Sequence, residues 1–184
     1  MRIIGGVERG RILKMPKPGK VRPTQDRVRE AIFNVIKDKV PESSVLDLFA
    51  GSGAFGIEAL SRGAKSAVFV DNNVHCIKTI KSNLSILGDK VDSSQLIKLD
   101  AVRAISRLES ENKKFDLVFL DPPYHEDLGR KCLIKIDACD ILSKHSFIIV
   151  EHFKKGILPD NLISILIVRQ KRYGDTVVSF YRKK

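Results

Sequence analysis

The chain alternates short, almost uninterrupted apolar runs with longer segments whose apolar residues recur every three or four positions. The runs at 44–48, 66–70, 94–99, 115–120 and 146–150 predict strands, and Leu117-Val118-Phe119-Leu120 shows the type, with no polar interruption. Such runs suit parallel strands covered by helices on both faces. Helical periodicity fits 54–62, 73–87, 101–110 and 128–142 between them. In 73–87, Ile77, Ile80, Leu84 and Leu87 share one face and Gly88 supplies a stop. Regular βα alternation predicts a doubly wound α/β sheet with right-handed crossovers.

Both ends break this rhythm. Residues 1–25 set Ile3-Ile4 and Ile12-Leu13 around Gly5-Gly6 and Gly10, then continue through Pro16, Pro18, Gly19 and Pro23. That pattern predicts a small β-hairpin followed by an extended arm. A helix should follow, with Thr24 as N-cap, Asp26 in its first turn, and Val28, Ala31, Ile32, Val35 and Ile36 as its buried stripe; Pro41 ends the run. At the other end, 163–168 and 176–181 are apolar runs around Tyr173-Gly174-Asp175. Seven residues leave no room for a crossover helix, so these two strands form an antiparallel hairpin. The chain thus divides into a basic extension, 1–40, and a main domain, 41–184.

The 184 residues are enough to bury a core, and 43% apolar with 30% charged residues is the balance of a folded globular chain. No apolar run approaches a membrane span and the first residues have no signal-peptide core. Cys76, Cys132 and Cys139 have no paired spacing and read as reduced core residues in a cytoplasmic protein, expected to be a monomer. The net charge of +11 is segregated: residues 1–39 hold 11 Lys/Arg against 4 Asp/Glu, 169–184 hold 6 against 1, and the middle is nearly neutral. Scattered lysines are ordinary solubilising surface, whereas two basic ends around a neutral body argue for a polyanion, nucleic acid before membrane.

Candidate chemistry collects at strand ends, where open α/β sheets bind ligands. Asp47, Asp71, Asp100 and Asp121 each end one of four strands. Singly, each could be a helix cap; together they predict a ring of acceptors around one crevice. Gly51-x-Gly53-x-x-Gly56 lets backbone approach a ligand closely, and Asp71 follows Gly51 at the distance of a ribose-binding acid; both features also fit NAD enzymes. Asp47 separates the two cases, because a carboxylate beneath the glycine turn would repel a pyrophosphate but suit S-adenosylmethionine, which is cationic. In Asp121-Pro122-Pro123-Tyr124, an Asp carboxylate and a prolyl carbonyl can each accept one N–H of an exocyclic amine, the prolines stiffen the loop, and Tyr124 offers a stacking face for a base. His125 reads as a loop histidine, and His75, His145 and His152 have no ligand-spaced partners, so no metal is expected.

These residues resemble the RsmD-type small-subunit ribosomal RNA guanine-N2 methyltransferases of bacteria, a branch of the class I S-adenosylmethionine-dependent methyltransferases. The resemblance runs through Met1-Arg2-Ile3-Ile4-Gly5-Gly6, Arg9-Gly10-Arg11, Arg22-Pro23-Thr24, Asp26-Arg27-Val28-Arg29-Glu30-Ala31-Ile32-Phe33-Asn34, the turn at 47–56 and Asp121-Pro122-Pro123-Tyr124. It implies a Rossmann-like, mostly parallel seven-stranded sheet with helices on both faces and a C-terminal antiparallel hairpin. It also implies methyl transfer to one guanine N2 of 16S rRNA, guanine-966 by family pattern, within a small subunit or its precursor. Asp71 would hold the cofactor ribose, Asp100 the adenine amine and Ala101 the adenine ring. Asp47, Gly51 and Gly53 would hold the methionine end, with Phe49 and Asn72 completing the set. Asp121, Pro122 and Tyr124 would hold the guanine, as the catalytic group. Arg2, Arg9, Arg11, Arg22, Thr24, Arg27, Arg29, Arg172 and Tyr173 would meet RNA, with Arg169 and Lys171 on the hairpin tip. An adenine-N6 DNA methyltransferase is the alternative, against which stands the lack of room for a domain that reads a DNA groove; a non-catalytic RNA-binding module and an NAD enzyme rank below it.

Overall fold

The computed structural model describes residues 1–16, 26–123, 127–159 and 161–184. Thr24, Arg22, Tyr124 and His125 lie outside them. Helix α1 spans Asp26–Val35, and the alternating part runs β1 (Ser44–Leu48), α2 (Ala54–Ser61), β2 (Ser66–Asp71), α3 (Val74–Leu84), β3 (Ser94–Lys98), α4 (Ala101–Ser110), β4 (Phe115–Leu120), α5 (Leu128–Ala138) and β5 (Leu142–Phe153). Strands β6 (Ile165–Tyr173) and β7 (Thr176–Lys183) close the chain. The seven strands stand in the order β3-β2-β1-β4-β5-β7-β6. The first five are parallel and β7 is antiparallel to both β5 and β6, as the short final connection requires. Strand order reverses between β1 and β4, which opens the crevice there.

Two cores flank the sheet. On one side, α1, α2 and α3 pack through Ile32, Phe33, Ile57, Ile80 and Leu84 against Val45, Phe69, Phe119, Val178 and Phe180. The Phe55 and Phe119 rings stack at 4.9 Å with Phe33 at 5.6 Å from Phe119, which seats α1 over the β1–β4 junction. On the other side, α4 and α5 pack through Ala104, Ile105, Leu108, Cys132, Leu133 and Ile136 against Leu46, Val68, Val118 and Ile148. The N-terminal hairpin forms as predicted, with Ile3 N–H donating to the Arg11 carbonyl at 2.9 Å and Gly10 N–H to Ile3 at 2.9 Å. Its Ile3 and Leu13 are buried in the same core as α1, so the extension and the body share one interior.

Several bounds differ from the sequence reading, among them β6, which spans Ile165–Tyr173 and not 163–168. The α5 helix stops at Ala138, where Cys139 turns to extended backbone (φ −110°, ψ 151°), and β5 begins at Leu142 rather than 146. The α3 helix stops at Leu84 and 3₁₀ turns cover Ser85–Ser93, kinked at Gly88. In α1 the buried face holds Val28, Ile32 and also Phe33 and Arg29, while Ala31 and Val35 are half-buried.

Candidate active site

The glycine turn is a loop held under and beside by two acids. Strand β1 delivers the chain into Phe49, whose φ of 63° is a left-handed conformation uncommon for a non-glycine residue; Gly51 (56°) and Gly53 (80°) share that region. A Cβ at Gly53 would come 3.2 Å from both Ile57 and Ile80, so the residue just before α2 has a left-handed backbone and tight quarters for a side chain. Gly51 N–H donates to Asp71 Oδ2 at 2.9 Å, and Ala50 N–H to the Val70 carbonyl at 3.0 Å, which ties the loop to the end of β2. Gly56 N–H donates to Asp47 Oδ2 at 3.0 Å from above. Among the described residues, no side chain caps the N-terminus of α2 at Gly53.

Asp47 is not at the end of β1 but is its fourth residue, 2% exposed beneath the turn. Burial pushes its carboxyl up to about 7; the Gly56 N–H opposes this and the nearby Asp71 charge adds to it. The fixed negative charge assigned to Asp47 from sequence is therefore only half present at neutral pH. A cation placed against it would draw out the ionised form. That chemistry fits the ammonium of S-adenosylmethionine, and a bound phosphate would push the other way.

Asp71 and Asp100 each do structural work at a strand end as well. Asp71 Oδ1 accepts from Asn73 N–H at 2.8 Å, beside the exposed Asn72. Asp100 caps α4, its Oδ1 accepting from Arg103 N–H at 3.0 Å and its Oδ2 lying 3.3 Å from Arg103 Nε, with Ala101 buried behind it. Both carboxylates line the same carboxyl edge as the glycine turn, on adjacent strands β2 and β3.

The second loop leaves β4 next door. Leu48 of β1 pairs with Leu120 of β4, so Asp121 follows directly beside Phe49 at the reversal point. Asp121 is half-buried, Pro122 is buried and Pro123 is exposed. Pro122 is seated on α5: a Cβ at Gly129 would stand 3.3 Å from its ring, so glycine there makes space for it. Glu151 is a fifth acid that the sequence reading missed. Leu120 pairs with Val150, which puts Glu151 level with Asp121, and it is only 6% exposed. The signal was available, an acid directly after the apolar run Ile148-Ile149-Val150.

The turn of the C-terminal hairpin reaches this same edge, because Phe153 at the end of β5 pairs with Thr176. On β6, Arg169, Lys171 and Tyr173 pair with Phe180, Val178 and Thr176. Phe180 and Val178 belong to the core under α1, and paired residues share a face, so these three look to the α1 side of the sheet. Arg172 alternates to the other face, and its Nε donates to the Gly174 carbonyl at 2.9 Å, bracing the turn. The N-terminal hairpin lies on the α1 side too, with Arg2, Arg9, Arg11 and, on α1, Arg27 exposed.

Arg29 departs from its predicted role. Its side chain is fully buried, lying 3.8 Å from Glu58 and 3.2 Å from Asp26, with Nη2 donating to the Arg2 carbonyl. Burial lowers its pKa from the usual value, against the pull of Glu58 and Asp26. A side chain with no solvent surface cannot meet RNA in this conformation; it holds the N-terminal hairpin instead.

Residues 1–182 match the family model described as conserved hypothetical protein 95. The Bacillus subtilis (strain 168) protein YlbH is 40% identical over 184 residues, covering all of both chains. The ribosomal RNA small subunit methyltransferase D of Haemophilus influenzae is 35% identical over 163 residues, 88% of this chain and 84% of its own. Among solved structures, yhhF from Escherichia coli superposes with a TM-score of 0.84 at 30% identity, covering 100% of this chain and 98% of that one.

Proposed function

From a chain that belongs to the conserved hypothetical protein 95 family, and with it to the bacterial ribosomal RNA small subunit methyltransferases D, we infer the substrate as well as the chemistry. The protein is an S-adenosylmethionine-dependent methyltransferase of class I fold. Its acceptor, in our reading, is the N2 amine of one guanine of 16S rRNA, guanine-966 by the family pattern, presented on a small ribosomal subunit or its assembly precursor.

One observation carries this reading: Asp121 and Pro122 open beside the glycine turn at the β1–β4 reversal, and the exposed arginines of both chain ends stand on the α1 side of that opening. S-adenosylmethionine, when bound, supplies a methyl group made electrophilic by its sulfonium. Asp47 and the turn through Gly51 and Gly53 would hold its methionine end, and Asp71 and Asp100 its adenosine, with Phe49, Asn72 and Ala101 beside them. The ring lone-pair delocalisation that makes an exocyclic amine a poor nucleophile is the problem left to the protein. The Asp121 carboxylate and the Pro122 carbonyl each accept one amine N–H, favouring a pyramidal nitrogen whose lone pair points away from them. Tyr124 is assigned the stacking face for the guanine. Rate then comes from positioning and fixed dipoles, with no strong base needed.

The test is a reaction of the purified protein with labelled cofactor and small subunits that lack the modification, followed by identification of the product nucleoside by mass spectrometry. N2-methylguanosine is expected; label found on adenine N6 would overturn the assignment. Asp121→Ala should lower kcat by roughly 10²–10³-fold, the scale of losing one preorganised hydrogen-bond group, while leaving cofactor affinity within about twofold. Full activity in that variant would remove Asp121 from its role.

A further inference from the structure

Helix α2 is buried at every one of its eight positions, yet it carries one acid, Glu58, only 1% exposed. The carboxylate is spent on backbone. Its Oε2 accepts from Ile4 N–H and its Oε1 from Gly5 N–H, both at 2.7 Å. Arg62 Nε donates to Oε1 at 2.7 Å and Arg29 approaches Oε2 at 3.8 Å, so two guanidinium groups balance the buried charge. Arg29 in turn reaches the Arg2 carbonyl. Ser61 continues the seam: its hydroxyl donates to the Gly5 carbonyl at 2.7 Å and accepts from Glu8 N–H at 3.0 Å, while its carbonyl accepts from Val7 N–H at 2.9 Å.

The hairpin enters these contacts through the main chain of residues 2–8, leaving its basic side chains outward. The fit also depends on missing side chains. A Cβ at Gly5 would lie 2.3 Å from the Arg62 guanidinium, and one at Gly6, whose φ is 79°, would lie 2.0 Å from the Ser61 carbonyl oxygen. Where the chain leaves the hairpin, a second buried side chain takes over. Asn83 is fully buried; its Oδ1 accepts from Lys14 N–H at 2.8 Å, and its Nδ2 donates to the Lys14 carbonyl at 2.9 Å and to the Ser52 carbonyl, within the glycine turn, at 2.8 Å.

We propose that Glu58 and Asn83 are positioning residues that mount the basic hairpin on the cofactor turn, so that the acceptor RNA is delivered to Asp121 in a fixed register. This rests on the reading of the hairpin as an RNA grip. An isolated two-stranded hairpin is marginal in water. Without its mount, the arm's order would have to be restored at each encounter with RNA, and the cost of ordering comes out of affinity. The mount therefore governs acceptance of RNA, and the methyl-transfer step downstream of it is insensitive to its loss once RNA is bound.

The experiment compares Glu58→Gln, Gly6→Ala and the double variant Arg9→Ala/Arg11→Ala. It measures KM and kcat with small subunits as acceptor, cofactor Kd by calorimetry, and tryptic cleavage of the hairpin. Gly6→Ala changes a residue of the arm and leaves every buried side chain of the body in place, so it carries the test even if Glu58→Gln folds poorly. In both mount variants the expected result is a KM for the acceptor raised at least about tenfold, with kcat at saturation within about threefold, an unchanged cofactor Kd, and faster hairpin cleavage. An unchanged acceptor KM in Gly6→Ala overturns the mount. The arginine double variant separates the two ideas: if it raises KM where Gly6→Ala does not, the RNA grip stands and the mount falls. If the arginine variant alone leaves KM unchanged, the grip reading falls.

Discussion

Asp47→Asn exchanges one carboxylate oxygen for an amide while keeping an acceptor for the Gly56 N–H, so it isolates a single charge. The carboxyl moves from 3.8 to about 7 on folding, chiefly because burial disfavours its ionised form. The sign follows from proton uptake: between those values the folded protein binds more protons than the unfolded chain, so stability falls as pH rises. The penalty is absent below 3.8 and complete above about 7, where it amounts to about 4 kcal/mol; at pH 5.5 it is about 2 kcal/mol. The stability difference between Asp47→Asn and the natural protein should thus grow by about 2 kcal/mol between pH 5.5 and 8, in favour of the variant. Urea denaturation at both pH values measures it, and any constant cost of the new amide cancels in the comparison. The same titration should appear in binding. If Asp47 must ionise to receive the cofactor's ammonium, affinity for S-adenosylmethionine drops about tenfold per pH unit below about 7 and becomes pH-independent in the variant, though weaker. A stability difference that is equal at the two pH values would refute the reasoning.

Gly56→Ala would place a Cβ 2.3 Å from the Phe69 ring, in a packed core, and should cost roughly 1–3 kcal/mol in denaturation midpoint experiments. Binding of small subunits or a 16S rRNA fragment should weaken steeply with salt, and each removal of Arg2, Arg9, Arg11 or Arg27 should reduce the slope of log affinity against log salt by roughly 0.7. A flat salt response would contradict the charge footprint.

The body of this fold was legible because its strands are continuous apolar runs and its crossovers carry a clean helical period. The reading slipped where those two signals overlap. Ile134, Ile136, Ile141 and Leu142 keep an apolar rhythm through the end of α5, so the sequence pattern carries the helix past Cys139 while the structure ends it at Ala138. The exposed pair Lys144 and His145 then hides the start of β5. Arg29 was misassigned by residue type, although it lies beside Val28 and three residues before Ile32, on the flank of the buried stripe. The acids at or near strand ends are readable because position and chemistry coincide in sequence. Glu58 is not readable in that way, because the backbone groups it accepts from are more than fifty residues away and leave no mark in the pattern of side chains.

Helix α2 begins at the glycine turn and ends at the hairpin seam, and all eight of its residues are buried. An amphipathic helix such as α4 keeps an outer face, with Arg103 and Arg107 in solvent, on which substitutions are nearly silent. Helix α2 has no such face. The glycine turn and the hairpin seam therefore share one short rod with no neutral positions, and sequence change at either end has to be accommodated at the loops and arms, where the chain is free to drift.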